Sequence, residues 1–261
     1  MGLKYYMVDA FTDRLFGGNQ AGVCLLDAPL SESLMQKIAS ENNLSETAYV
    51  LANESGRYDI RWFTPKVEID LCGHATLASA FVLHRFIAPA QSEFIFNSRS
   101  GILKVRAAEG GLYILDFPAR MPQPVARTSE MKQAVGCEIL EAHLARDLVL
   151  VLESEEAVQG CAPDIARIAA LPGHACCVTA KGEACDFVSR FFAPKFGIEE
   201  DPVTGSVHCE LIPFWAKKLG KSTLLARQLS PRGGTLFCEN KGGRVLIGGH
   251  AALYLTGEIN V

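Results

Sequence analysis

The sequence predicts an α+β fold of two pseudo-symmetric lobes, each a barrel-like β-sheet wrapped around one central helix. Many short strand-like runs, punctuated by Gly and Pro, occur without the regular strand–helix alternation of a doubly wound sheet. Two longer runs, His74–Ile87 and Val207–Leu219, are apolar almost all round, as in helices enclosed by other elements. The third observation is a repeat. Arg61-Trp62-Phe63-Thr64-Pro65-Lys66-Val67-Glu68-Ile69 matches Arg190-Phe191-Phe192-Ala193-Pro194-Lys195-Phe196-Gly197-Ile198 without a gap at Arg, Phe, Pro, Lys and Ile. A short acidic segment, a glycine (Gly73, Gly205) and the helix-like run follow each copy. One strand–loop–helix unit is used twice.

In chain order, Leu3–Ala10 reads as a strand, and Phe16-Gly17-Gly18-Asn19 as a tight turn whose glycines can take positive φ. Val23–Leu26 is a second strand. Ser31 caps a helix carrying Leu34, Met35 and Ile38 on one side and ending at Asn42-Asn43. A strand starts with Glu46 at its mouth, and Tyr58–Thr64 is another, stopped by Pro65. After the first enclosed helix, 92–97, 101–107 and 112–117 are strands, the last two joined by Glu-Gly-Gly. Pro118, Pro122 and Pro124 mark a boundary, giving an N-terminal lobe of 1–117, completed by about 250–261, and a C-terminal lobe of 118–249.

Beyond it, a helix over 129–135 stops at Gly136. A strand follows over 147–152 and a short helix over 164–170. His174–Ala180 pairs with Asp186–Phe192 across Lys181-Gly182-Glu183. Gly220 closes the second enclosed helix, and three strands separated by two glycine-containing turns end the chain.

With 261 residues, each lobe is large enough to bury its own core. A net charge of −4 with no basic run argues against nucleic acid and against a polybasic membrane patch. No apolar run approaches the roughly 20 residues of a membrane span, and no signal peptide is apparent, so a cytoplasmic location is expected. Nine cysteines, an odd number irregularly spaced within apolar runs, fit reduced, buried thiols. Cys72-x-His74 is half of a metal-ligand spacing without a second half, so no metal is expected. Gly17-Gly18-x-x-x-Gly22 lacks the spacing and following helix of a dinucleotide fingerprint.

The candidate chemistry gathers at the two helix starts. A helix N-terminus offers unpaired N–H groups and partial positive charge, and Gly73 and Gly205 let a ligand approach the backbone. If both pointed into one cleft they would hold a small carboxylate and stabilise an enolate-like charge; the plainer reading is ordinary capping, with Gly205-Ser206 as a turn and cap. Glu46, at the start of an apolar strand, is the proton-transfer candidate, because lost hydration raises a carboxyl pKa; a solvated strand end is its plain alternative. His74 either caps its helix or orients substrate and passes a proton. Asp201, restricted by Pro202, either caps the Gly205 helix or holds a substrate hydroxyl or amine. Cys72, beside a helix N-terminus that lowers a thiol pKa, is either a base or a small buried residue.

Seven blocks carry a family resemblance: Asp9-Ala10-Phe11, Gly18-Asn19, Asn43-Leu44-Ser45-Glu46-Thr47, Arg61–Pro65, Cys72-Gly73-His74-Ala75-Thr76-Leu77-Ala78, Glu200-Asp201-Pro202-Val203-Thr204-Gly205-Ser206 and Ser230-Pro231-Arg232-Gly233-Gly234. In this order, nearly end to end, they resemble the PhzF-like phenazine-biosynthesis isomerase family, of diaminopimelate-epimerase-like fold. The resemblance implies Glu46 as catalytic acid/base, with Asn19, Gly73, His74, Asp201, Gly205 and Ser206 lining the substrate pocket. It also implies a homodimer and proton transfer on a dihydro-hydroxyanthranilate-like molecule without metal or organic cofactor. Gly18-Asn19-Gln20-Ala21-Gly22 departs from the family's usual Gly-Asn-Pro-Ala-Ala. The two opposed cysteines of true epimerases are not both present, since Cys72 has no counterpart in the Asp201–Gly205 block. The expectation is an isomerase using Glu46, His74 and Asp201 on a small anionic substrate. Its alternatives are an epimerase pairing Cys72 with Glu46, and a binding protein that kept the cleft without turnover.

Overall fold

The computed structural model describes residues 2–261. The chain divides into two compact units, Met1–Asp116 with Gly248–Val261, and Phe117–Ile247.

The first unit contains β1 (Gly2–Ala10), β2 (Asn19–Leu26), α1 (Glu32–Asn42), β3 (Glu46–Ala52), β4 (Tyr58–Phe63), β5 (Glu68–Ile69), α2 (Gly73–Phe86), β6 (Glu93–Ser98), β7 (Gly101–Ala108) and β8 (Leu112–Pro118). The final strand of the chain, Ala251–Asn260, returns antiparallel to β1. β1 pairs antiparallel with β2, β2 parallel with β3, and β3 antiparallel with β4. β4 then pairs parallel with β6, β6 antiparallel with β7, and β5 folds back on β4. The sheet curves around α2, which touches β1, β2, β3, β7 and the final strand. Gly73 to Leu83 are consequently all buried, the environment that a helix apolar on every side requires. On the outside, the Ser31 hydroxyl caps α1 by accepting from the Leu34 amide, and Asn43 ends it in the left-handed region.

The second unit contains β9 (Gln123–Val125), α3 (Ser129–Val135), β10 (Glu141–Leu144), β11 (Leu148–Val151), α4 (Glu155–Gln159), α5 (Ile165–Ala170), β12 (Cys176–Lys181), β13 (Phe187–Ala193), β14 (Ile198–Asp201), α6 (Gly205–Leu219), β15 (Thr223–Gln228), β16 (Gly234–Asn240) and β17 (Arg244–Gly249). β10 to β13 pair antiparallel, parallel, antiparallel; β13 pairs parallel with β15, β15 antiparallel with β16, and β14 folds back on β13. From β10 onward this repeats the pairing of β1 to β7. The buried face of α6 stacks Trp215 on Phe187 at 5.9 Å, and its indole N–H donates to Thr179 Oγ1 at 3.0 Å. Pro213 lies inside α6 and has no amide to offer the Cys209 carbonyl; the Arg120 amide donates to that carbonyl at 2.8 Å.

The sequence repeat is therefore structural. In the first unit Arg61 grips Glu68 through Nε (2.7 Å) and Nη2 (2.6 Å) and lies over Phe63 at 5.2 Å. In the second, Arg190 grips Glu200 at 2.8 and 2.9 Å and lies over Phe192 at 5.2 Å. The gapless alignment sets Glu68 against Gly197 and hides the second carboxylate.

Three expectations change. Four strands, not three, follow α6, because the chain breaks at His250, whose carbonyl accepts from the Phe11 and Thr12 amides. In the first turn the positive φ angles belong to Phe16 (68°) and Gly18 (62°), not to Gly17. A Cβ at Gly18 would lie 2.1 Å from the Ala10 carbonyl oxygen. The short elements β5, β9, β10 and α4 were not foreseen, since a run of two to five residues shows no period. All nine cysteines are free, and seven are buried. No helix among the described residues is long and apolar enough to cross a membrane.

Candidate active site

The start of β3, the start of β2 and the N-terminus of α2 bring four polar side chains together. β2 and β3 run parallel and both pack on α2. Their first residues, Asn19 and Glu46, therefore lie at the same end of the unit. Glu46 is 7 % exposed, and His74, the second residue of α2, 4 %. His74 Nε2 is 3.1 Å from Glu46 Oε2. On the other side of the ring, Nδ1 faces Asn19 Nδ2 at 3.3 Å and Cys72 Sγ at 3.5 Å.

Burial works against a charge on His74, but Cys72 and Glu46 outweigh it, and the imidazole pKa is raised well above its ordinary value. Burial and then Glu46 push the Cys72 thiol up to about 11. Lost hydration and a neighbouring carboxylate thus outweigh the helix-end dipoles at this thiol. At the N-cap itself, the Cys72 side chain makes no capping bond. The start of α2 thus retains amide donors of its own, beside Gly73.

The second unit builds its helix start differently. Asp201 ends β14, and its Oδ2 accepts from the Thr204 hydroxyl. The N-cap of α6, Thr204, makes no side-chain capping bond either. Gln228, the last residue of β15, holds this turn from inside. Its Oε1 accepts from the Thr204 amide at 2.9 Å, and its Nε2 donates to Asp201 O (2.7 Å) and Thr204 Oγ1 (3.2 Å). Ser230 Oγ donates to Pro202 O at 2.8 Å. Gly205 and Ser206 are the first two residues of α6. Nothing local in the sequence singles out Gln228; its role comes from a contact spanning 24 residues.

The halves are chemically unequal. Ala48 faces Trp62 as Cys177 faces Phe191, so the counterpart of Glu46, two residues back, is Ala175. By position in the helix, His74 corresponds to Ser206 and the N-cap Cys72 to Thr204. Of the two helix starts, that of α2 carries the carboxylate–imidazole pair, and Ala175 and Ser206 stand at the matching places of the second unit.

Three of the other histidines pair within the fold. His208 is buried, bonded through Nδ1 to Thr204 O at 2.7 Å, and pushed down to about 4 by burial, so it is neutral. His143 pairs with Glu141 at 3.0 Å, and His84 with the Tyr113 hydroxyl at 2.9 Å. A further buried acid was not anticipated. Glu210, in the second turn of α6, accepts from the Asp147 amide at 3.2 Å, and burial and then Asp147 raise its pKa to about 8.

Comparison with known proteins places the chain. A family model described as phenazine biosynthesis-like protein matches residues 8–257. A Pseudomonas aeruginosa protein named as an uncharacterized isomerase is 52 % identical, with 100 % of both chains covered. The crystal structure of a phenazine biosynthesis protein of the PhzF family from Enterococcus faecalis superposes with a TM-score of 0.97 at 50 % identity, covering 100 % of both chains. A hydroxyproline epimerase from Agrobacterium vitis, 9 % identical, superposes at 0.66 over 99 % of this chain and 92 % of its own, which shows a shared fold.

Proposed function

The chain belongs to the phenazine biosynthesis-like protein family, and from that membership we propose a cofactor-independent isomerase that shifts a proton on a small, conjugated, carboxylated metabolite. The observation that carries the reading is the buried Glu46–His74 pair at 3.1 Å, at the start of α2. Glu46 takes a proton from an activated carbon, and the electron pair moves into the conjugated system toward the substrate's carboxyl group. The amide donors at Gly73 stabilise that charge. Glu46 then returns the proton to another carbon of the same system. His74 holds Glu46 in place, and Asn19 and Cys72 hold the far edge of the imidazole. Asp201, Gly205 and Ser206, around the start of α6, are the second unit's candidates for binding a small anionic molecule, with Asp201 taking a hydroxyl or amine.

Positioned acid–base catalysis supplies about 10²–10⁴-fold, and charge stabilisation by the helix amides must supply much of the rest. In D2O, a dihydro-hydroxyanthranilate and simpler conjugated carboxylates are offered to the protein, and the product is read by NMR. Deuterium enters at the new C–H position, and Glu46→Gln lowers the rate by at least about 10²-fold. Incorporation untouched by that substitution would remove Glu46 from the mechanism. A thiol-based epimerisation would need Cys72 ionised, and the raised pKa of Cys72 works against it.

A further inference from the structure

We propose that Glu46, Cys72 and His74 together form a binding site for one thiophilic divalent cation of the Zn2+ class, which silences the acid–base pair when it is occupied. One donor atom from each residue, a carboxylate oxygen, a thiol sulfur and an imidazole nitrogen, lies within 4.8 Å of the other two. Bond lengths of about 2.0–2.3 Å ask for roughly 3.3–3.7 Å between donors in a tetrahedral site, so the three need to close by up to about 1 Å. Closing that distance asks for side-chain rotation at the start of β3 and in the first turn of α2.

The donor chemistry selects the ion. Sulfur and imidazole favour Zn2+, Co2+ and their neighbours over Mg2+ or Ca2+, which ask for oxygen alone. Charge supports the same choice. A thiolate and a carboxylate cancel the two positive charges, and neutral imidazole adds none, so the occupied site is uncharged where its residues are 4–7 % exposed. In binding, the cation forms bonds to Sγ, a ring nitrogen and a carboxylate oxygen; the thiol proton and the proton on the coordinating nitrogen leave to the buffer. Three protein ligands leave a fourth position for water or a carboxylate. Asn19 beside His74 Nδ1 is placed to orient the ring from the second layer.

Loading would silence proton transfer, because the lone pairs of Glu46 and His74 would be committed to the ion. The binding itself is measured without turnover, so its failure leaves the isomerase assignment standing, and failure of the exchange experiment leaves this site standing. Chelator-treated full-length protein is titrated with Co2+ and followed by absorption. The expected result is one equivalent bound, with a sulfur-to-cobalt charge-transfer band and tetrahedral d–d absorption, both bleached by Zn2+. Cys72→Ala abolishes the charge-transfer band, and Glu46→Gln weakens Zn2+ at least tenfold in competition with a chromophoric chelator, with far-UV circular dichroism confirming that both variants are folded. Absence of the band in the wild type, or a band that survives Cys72→Ala and so arises from another cysteine, overturns the proposal. Unchanged Zn2+ affinity in folded Glu46→Gln overturns it equally.

Discussion

At the scale of single residues, the site depends on which groups lose water and which gain a charged neighbour. Glu46 and His74 are both nearly buried and 3.1 Å apart, so each offsets the desolvation of the other. Residue 22 shows the same economy of space. An added Cβ at Gly22 would sit 2.9 Å from the Tyr5 hydroxyl and 3.1 Å from Thr47 Oγ1, next to Glu46. The departure from the family's Ala-Ala thus accommodates Tyr5. Gly22→Ala is expected to cost about 1 kcal/mol, at the low end for overpacking because the tyrosine tip can shift; urea unfolding measures it. The Cys72 thiol shows the limit of local reading, since its helix-end position predicts a lowered pKa and its burial beside Glu46 raises it.

Among the elements, α2 and α6 are the pieces most readable in advance. Their all-round apolar character foretold enclosure, and Gly73 to Leu83 are buried without a break. The strand before each helix is tied to the short strand after it by an Arg–Glu fork, which the linear alignment reveals for Arg and conceals for Glu200. What holds the start of α6 was not readable, because Gln228 reaches Thr204 and Asp201 from the end of another strand. Gln228→Leu strands a buried amide and a buried carbonyl, each costing about 1–3 kcal/mol. The expected outcome is a fall of about 3 kcal/mol in unfolding free energy, with faster hydrogen exchange confined to residues 204–208 if the loss is local.

For the whole molecule, stability should fall as pH rises above the ordinary histidine value; below it, His208, with its pKa pushed down to about 4, opposes Glu210. Glu210 has a folded pKa of about 8, above that of an unfolded carboxyl, so the native state holds its proton more tightly. The contribution of Glu210 is then lost from the ordinary carboxyl range up through pH 8, and levels off above it. His74 acts in the same direction: its stabilisation is full below the ordinary histidine value and is lost as pH passes its raised pKa. Glu210→Gln should flatten the unfolding free energy between pH 5 and 9 by on the order of a few kcal/mol. His74→Gln should remove a separate loss that begins only above its ordinary value. Chemical denaturation at several pH values separates the two.

The duplicated unit, the two enclosed helices and most of the longer strands were determined by sequence alone, which also made Glu46, His74 and the two glycines candidates. Periodicity, turn residues and repeated motifs are local and survive in a linear string. Tertiary structure alone decided that Asn19, Glu46, Cys72 and His74 share one cluster, that Ala175 leaves the second half without an acid, and that Gln228 supports the turn of Asp201. Those facts rest on strand register and burial, and both come from pairing residues that lie tens of positions apart in the chain.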